Sequence, residues 1–247
     1  MNHLIVAHPG HELLLHGWIS RTKPVVHVLT DGSGRSSEGR LGATRELLRD
    51  LGARSGTIFG RLSDGEAYAM ILERNGPLLL SLATDLAAQL GRQRPAMVVS
   101  DAAEGYNPVH DLCRLVAGAA IAMAGIETKQ YEYAVVNHPR SLDASMALDL
   151  TATEHAAKIA RARGQAKTLA DVDEMFARHG ENAYRTEAFR RVVDWTSIDE
   201  DVSPLYERYG EQRVAARRYE QVIRLREHMI PLRNALCADV DKRTCAF

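Results

Sequence analysis

Apolar runs of strand length recur along the first part of the chain, and each stops on a short polar stretch before helix-like periodicity begins. Leu4-Ile5-Val6 leads into Ala7-His8-Pro9-Gly10-His11-Glu12. PVVHVLT leads into Asp31-Gly32-Ser33-Gly34, and AMVVS into the eleven residues DAAEGYNPVHD that begin at Asp101. Ile/Val-rich runs of this kind, without polar alternation, are what strands covered on both faces look like. TIFG adds an edge strand followed by the turn Ser63-Asp64-Gly65, and the run from Tyr131 to Val136 adds one more before Asn137-His138-Pro139-Arg140. Between the strands lie a short helix or turn from Leu13 to Thr22 and helical spacing from Glu38 to Leu51, Leu78 to Leu90 and Leu112 to Ala124. The last three each precede a glycine placed as a C-cap, Gly52, Gly91 and Gly125. Strands alternating with helices in this way predict an α/β fold with a doubly wound, mostly parallel sheet.

Beyond Leu150 the chain turns rich in Ala, Arg and Glu. It reads as helices over 152–166, 169–179, 184–193 and 211–237, with Pro204 and Gly210 in a loop and no convincing strand. No low-complexity linker or internal repeat interrupts it, so one domain over 1–247 is expected, an α/β core to residue 150 and a helical extension over 151–247. The extension is expected to be structural, with an oligomer interface or a substrate wall as secondary roles.

Composition narrows the partners. Lys and Arg number 31 against 32 Asp and Glu, so there is no footprint for nucleic acid or an anionic membrane. No stretch approaches membrane-spanning length, and His8 interrupts the first apolar run too early for a signal peptide. Three cysteines, Cys113, Cys237 and Cys245, without metal-type spacing, read as reduced thiols of a cytoplasmic protein.

Chemistry in open α/β sheets collects at the carboxyl ends of the strands. His8 and His11 stand there, three residues apart across a Pro-Gly turn, where both imidazoles can address one ion; the alternative is two unrelated loop histidines. His110, after the strand AMVVS and at the start of the next helix, lies on the same edge, although a polar residue is also ordinary at a helix start. If the strands are neighbours, three neutral imidazoles converge, a ligand set that leaves a zinc ion one open position. The run Asp31-Gly32-Ser33-Gly34 is no dinucleotide signature, because G-x-G-x-x-G is absent after the first strand and no Walker lysine follows.

At these residues a resemblance emerges. IVAHPGHE resembles the AHPDDE signature of the PIG-L/LmbE-like deacetylases, metal-dependent enzymes that remove N-acetyl groups from amino sugars and related conjugates. VLTDGSG is similar to the family's strand and Thr-x-Gly-type loop, Arg45-Glu46 through Leu51-Gly52 to its Arg/Glu-containing helix, and Leu62-Ser63-Asp64-Gly65 to a Leu-Pro-Asp-Gly loop. Asn107-Pro108-Val109-His110 stands where the family has His-Pro-Asp-His. The likeness covers roughly residues 1 to 150. It implies a Rossmann-like sheet, metal ligands at His8, His11 and His110, and zinc or another divalent metal such as Fe2+ as cofactor. The implied substrate is an N-acylated sugar or small-molecule conjugate, and the protein could also assemble as a homo-oligomer.

The chain also departs from the family pattern. Histidine for aspartate at His11 keeps a ligand but removes a negative charge, which strengthens the metal as a Lewis acid. The family's expected general base is Gly10 here, and the histidine that polarises the carbonyl is Asn107, which donates a hydrogen bond but cannot protonate a leaving amine. Glu12, Asp31, Asp101, Glu104 and Asp111 all lie in loops of the same edge. Of these, Asp111 or Glu104 is expected to move the proton, Glu12 to orient a ligand histidine, and Asp31 to support the site from behind. Tyr106, His138 and Arg140 are the candidate substrate contacts. The competing expectation is a metal-binding protein of the same fold that, with no base at Gly10, no longer deacetylates.

Overall fold

The computed structural model describes residues 1–34, 39–164 and 169–245; the helix start expected at Glu38 and the helix end expected at residue 166 lie outside them. Described elements follow in chain order as β1 (Asn2–Val6), α1 (His16–Thr22), β2 (Val25–Thr30), α2 (Leu41–Leu51), β3 (Arg54–Leu62), α3 (Asp64–Leu72), α4 (Gly76–Gln93), β4 (Met97–Asp101), α5 (Pro108–Ala124) and β5 (Lys129–Tyr133). They continue as β6 (Met146–Asp149), α6 (Ala152–Arg163), α7 (Leu169–His179), β7 (Thr186–Arg191), α8 (Leu205–Ala215) and α9 (Ile230–Thr244).

Seven strands form one sheet in the order β3-β2-β1-β4-β5-β7-β6. The first five are parallel, and β7 pairs antiparallel with both β5 and β6. This is the expected doubly wound, mostly parallel sheet. Chain order reverses between β1 and β4, so the crevice beyond their carboxyl ends is the topological switch point, where open α/β sheets bind their ligands.

The central strands read as continuous apolar runs because helices cover both faces. On one face Ile5, Leu29, Ile58 and Val98 pack with Leu82 and Leu86 of α4, Val116 of α5 and Leu232 of α9. On the other, Leu4, Val26 and Val99 pack with Trp18 and Ile19 of α1 and Leu48 of α2. Each fully buried Leu or Ile contributes on the order of 1.5–3 kcal/mol relative to leaving it exposed. Among the described residues no helix is long and apolar enough to cross a membrane.

The second half departs from expectation. Residues expected as a helix over 184–193 form the strand β7, and β6 was not anticipated. In β7 the residues Thr186, Glu187, Ala188 and Phe189 are all buried, and Arg190 faces Glu132 of β5 across the ladder. A buried glutamate and charged strand ends hide the strand from apolar patterning. The helix expected over 211–237 is two pieces, α8 and α9, separated by an irregular stretch over 216–224; one wide turn at Leu225–Met229 then runs into α9, which has Pro231 in its first turn. Gly210 is not in a loop but inside α8, where a Cβ would stand 2.9 Å from Val222; the residue marks a close approach, not a break. Likewise Ser63-Asp64-Gly65 is less a turn than the start of α3: Ser63 and Glu66 form a reciprocal capping box.

Within the sheet, His3 of β1 and His27 of β2 share a hydrogen bond, Nδ1 to Nε2 at 3.1 Å, and both are fully buried. One ring must donate and the other accept, so the pair is built for neutral imidazoles. Burial, opposed at His3 by Gln93, pulls His3 down to about 4. Burial, reinforced by the charge of His3, pulls His27 down to about 3. The unfolded chain therefore binds protons below about pH 6.5 that the folded chain refuses. The pair's contribution to stability is complete above that pH and lost as pH falls from 6.5 toward 4, by up to about 1.4 kcal/mol per pH unit for each histidine. Chemical denaturation at pH 7 and pH 5 is expected to show this loss, and His27→Gln to flatten the slope. An unchanged slope in that variant would contradict the assignment.

Candidate metal centre

β1 and β4 are hydrogen-bonded neighbours, so the loops leaving them face each other across the switch point. β1 delivers His8. The chain then turns at Gly10, whose φ of 107° is a conformation that side-chain-bearing residues rarely adopt, and a single 3-10 turn at His11–Leu15 begins. From the other side, Asn107 caps α5 by accepting from Val109 N at 2.9 Å. Pro108 opens the helix and His110 falls in its first turn.

The result is a gathering of three imidazoles. Ring centroids stand 5.3 Å apart for His8 and His11, 5.2 Å for His8 and His110, and 4.6 Å for His11 and His110, all edge to face. His8 and His110 are buried. His8 Nδ1 lies 2.8 Å from Thr30 Oγ1 and 3.0 Å from Asp64 Oδ1. His11 Nδ1 lies 2.7 Å from Asp101 Oδ2. A carboxylate only accepts, so Nδ1 carries the proton in both rings and Nε2 is left with its lone pair. His8 Nε2 and His110 Nδ1 are buried with no hydrogen-bond partner.

The second rank of residues is charged. Asp101, the last residue of β4, is fully buried and also accepts from Ala7 N and the Tyr133 hydroxyl, each at 2.8 Å. Burial alone would lower His11, but the charge and hydrogen bond of Asp101 outweigh it and the imidazole is raised. His8 is lowered by burial against the hydrogen bond of Asp64, and His110 well lowered by burial and by its two neighbours. Burial would raise Asp64, yet the hydrogen bond and charge of His8 and the Gly34 N–H, at 2.6 Å, hold its carboxyl well below the usual range.

Donor chemistry here fits a divalent cation. Orphaned ring nitrogens in a buried pocket are costly unless something satisfies them, and a ligand histidine whose other nitrogen donates to a carboxylate is the common second layer of a zinc site. The rings are nevertheless gathered without a finished coordination sphere: among the described residues no three His, Cys, Asp or Glu side chains stand as a ready-made metal-holding group.

The other expected residues take various places. Glu104 accepts from Val135 N, Val136 N and Asn137 N at 2.8–2.9 Å, so its carboxylate clamps the loop after β5. Asp111 accepts from Gly105 N at 3.1 Å, and burial, against that hydrogen bond, pushes it up to about 7. Glu12 is buried and accepts from Gly10 N at 2.8 Å and Thr44 Oγ1 at 2.7 Å, bracing the turn between the two histidines. Asp31 accepts from Ser33 N at 2.9 Å. The Asn107 side chain also contacts the Tyr68 hydroxyl. Tyr106 is exposed; His138 and Arg140 line a separate cavity. Sequence reasoning gave Asp64 no role at all, though the Ser-x-x-Glu capping pattern at Ser63 would have put it at a helix start on this edge.

No family model matches the chain, and no curated protein matches it significantly. Solved structures do share its fold. The conserved protein TT1542 from Thermus thermophilus is 21% identical, with a TM-score of 0.51 over 78% of this chain and 94% of its own. The A40926 pseudoaglycone deacetylase is 14% identical, with a TM-score of 0.52 over 80% and 98%. A deacetylase of the teicoplanin biosynthesis pathway is 14% identical, with a TM-score of 0.51 over 78% and 100%. The expected Rossmann-like α/β fold is thus the fold present, and these structures share it.

The geometry at Gly10 carries a prediction. Gly10→Asp, which would restore the acid of the AHPDDE pattern, forces a side chain onto a φ of 107° and is expected to destabilise the chain by about 1–2 kcal/mol. Denaturant unfolding reads it directly; a variant as stable as the parent would show that the turn relaxes freely.

Proposed function

We propose that the chain is a metal-dependent amide hydrolase that removes an acetyl or other small acyl group from an N-acylated amino sugar or small-molecule conjugate. His8, His11 and His110 would hold zinc, or another divalent ion such as Fe2+. The observation that carries this reading is the convergence of three imidazoles at the switch point, with buried ring nitrogens unpartnered and with Asp64 and Asp101 behind two of the rings. That solved structures of this fold are described as deacetylases supports it further.

When bound, the ion supplies Lewis acidity to the scissile carbonyl and the attacking water. The chain's own residues do the rest. Asp64 and Asp101 fix the tautomers of His8 and His11, so that each presents an unprotonated Nε2. The Asn107 amide offers a donor to the developing oxyanion. Asp111, next to His110 in the first turn of α5, takes the proton of the attacking water and returns it to the leaving nitrogen. Tyr106, exposed beside Asn107, offers a face to the sugar. Acetate released from N-acetylated amino-sugar conjugates should require added zinc, stop with a chelator, and fall on the order of a hundred- to ten-thousand-fold in Asp111→Asn. A zinc-loaded protein that releases no acyl group from any of them would overturn the reading.

A second reading is favoured by Gly10, which leaves the turn between His8 and His11 without an acid: a metal-binding protein of this fold without deacetylase activity. Zinc bound tightly, with no hydrolysis, is the result that would select it.

A further inference from the structure

A cavity of about 570 Å3 opens on the same edge of the sheet as the histidine trio and is lined by His138, Arg140, Asp149, His179, Arg185 and Thr186 among others. Four segments distant in sequence build it: the loop after β5, the end of β6, the last residue of α7 and the start of β7. The loop that carries His138 is fixed to the carboxyl end of β4 by Glu104, through its three backbone hydrogen bonds.

Donors predominate in its largely exposed lining, and several of them are held in place. The His138 and His179 rings meet edge to face at 5.6 Å, and His179 Nε2 lies 2.9 Å from Val136 O. Arg140 donates to Thr186 Oγ1 at 2.8 Å, and its nearest carboxylate oxygen, Asp149 Oδ1, is 3.7 Å away. Arg185 Nε donates to Leu150 O at 3.2 Å. Asp149, the one carboxylate among the described lining residues, already accepts from the Thr186 hydroxyl at 2.6 Å. Each guanidinium is therefore anchored through one nitrogen and keeps the rest of its fork, while His138, whose Nδ1 accepts from Arg140 N at 3.1 Å, keeps Nε2 as a further donor and one carboxylate offsets only part of the charge. Pre-oriented guanidinium forks recognise planar or tetrahedral oxyanions by paired, charge-assisted hydrogen bonds.

We propose that this cavity binds an oxyanion, the phosphate or carboxylate of a small molecule, through Arg140 and Arg185. It does not depend on the metal-centre reading: it concerns other residues and is measured by binding alone.

The test is calorimetric titration of the full chain, at fixed ionic strength, with inorganic phosphate and separately with citrate. Saturable binding is expected, weakened about tenfold or more in Arg140→Gln and in Arg185→Gln. It should tighten in Asp149→Asn, which removes the opposing charge, and stay unchanged in His110→Ala, which places it away from the histidine trio. A response to phosphate alone identifies a phosphoryl group as the ligand, a response to citrate alone a carboxylate. Should Arg185→Gln fail to fold, the exposed Arg140→Gln and Asp149→Asn decide the matter. No saturable binding of either anion, binding that survives both arginine variants, or binding lost in His110→Ala would overturn the proposal.

Discussion

Glu187→Ala is expected to cost about 3–5 kcal/mol of stability, enough to leave the protein largely unfolded at moderate denaturant. Glu187 is buried in β7 and accepts three hydrogen bonds there: from Lys158 Nζ of α6 at 2.9 Å, from Gly17 N at 2.9 Å and from Trp18 N at 2.7 Å. Lys158 is equally buried and donates its other hydrogen bond to Leu14 O at 2.5 Å. Burial drags the Lys158 ammonium down and Glu187 opposes it. Removing the carboxylate leaves an unpaired buried cation and two N–H groups in the first turn of α1 without an acceptor, and breaking such a pair costs roughly 3–5 kcal/mol. Lys158→Met combined with Glu187→Gln should recover much of the loss, since no buried charge is then left alone. A single variant within about 0.5 kcal/mol of the parent, the ordinary scatter of surface substitutions, would refute the account of this network. The network also matters for the site, because Leu14, Gly17 and Trp18 follow directly on His11. β7 and α6 thus hold the segment that follows the histidine turn, which Glu12 braces from within.

Asp101→Asn is the second large effect. Ala7 N and His11 Nδ1 both donate to Asp101 Oδ2 and the Tyr133 hydroxyl to Oδ1; an amide can keep the first two only by turning its N–H toward Tyr133, whose hydroxyl then accepts it and donates to His11 O, 3.2 Å away. His11 loses the charge that raises it. Replacing a carboxylate behind a ligand histidine typically weakens metal binding about 10- to 100-fold, and zinc affinity measured by competition with a chelating dye is expected to fall by that amount. Near-ultraviolet circular dichroism should meanwhile keep its native shape. Equal affinity in parent and variant would mean that His11 is not a ligand.

How much of this was open to sequence reading depends on range. The strands β1, β2 and β4 announce themselves because burial on both faces leaves uninterrupted apolar runs, and the polar residues that follow each run had to fall on one edge of a parallel sheet. His8, His11 and His110 were legible for that reason, and their meeting follows from β1 and β4 being neighbours. β7 was not legible, because what lets Glu187 sit inside a strand is Lys158 on a helix far away in sequence. Nor did the residue types at the edge say which carboxylate serves which purpose. Glu104 and Asp101 are three residues apart, yet the first is taken up by backbone N–H groups of the next loop and the second by His11, a division set by the β4–β5 register. Asp64 had a local signal in its capping box; its bond to His8 is tertiary.

The proposed metal centre requires that the three imidazoles at the switch point hold one divalent ion. Elemental analysis of the purified protein beside His110→Ala, after incubation with zinc and removal of the excess, tests it most directly. About one zinc per chain in the parent, and little in the variant at unchanged fold, is the predicted result. A parent protein that retains no zinc, or a variant that retains as much as the parent, would contradict it.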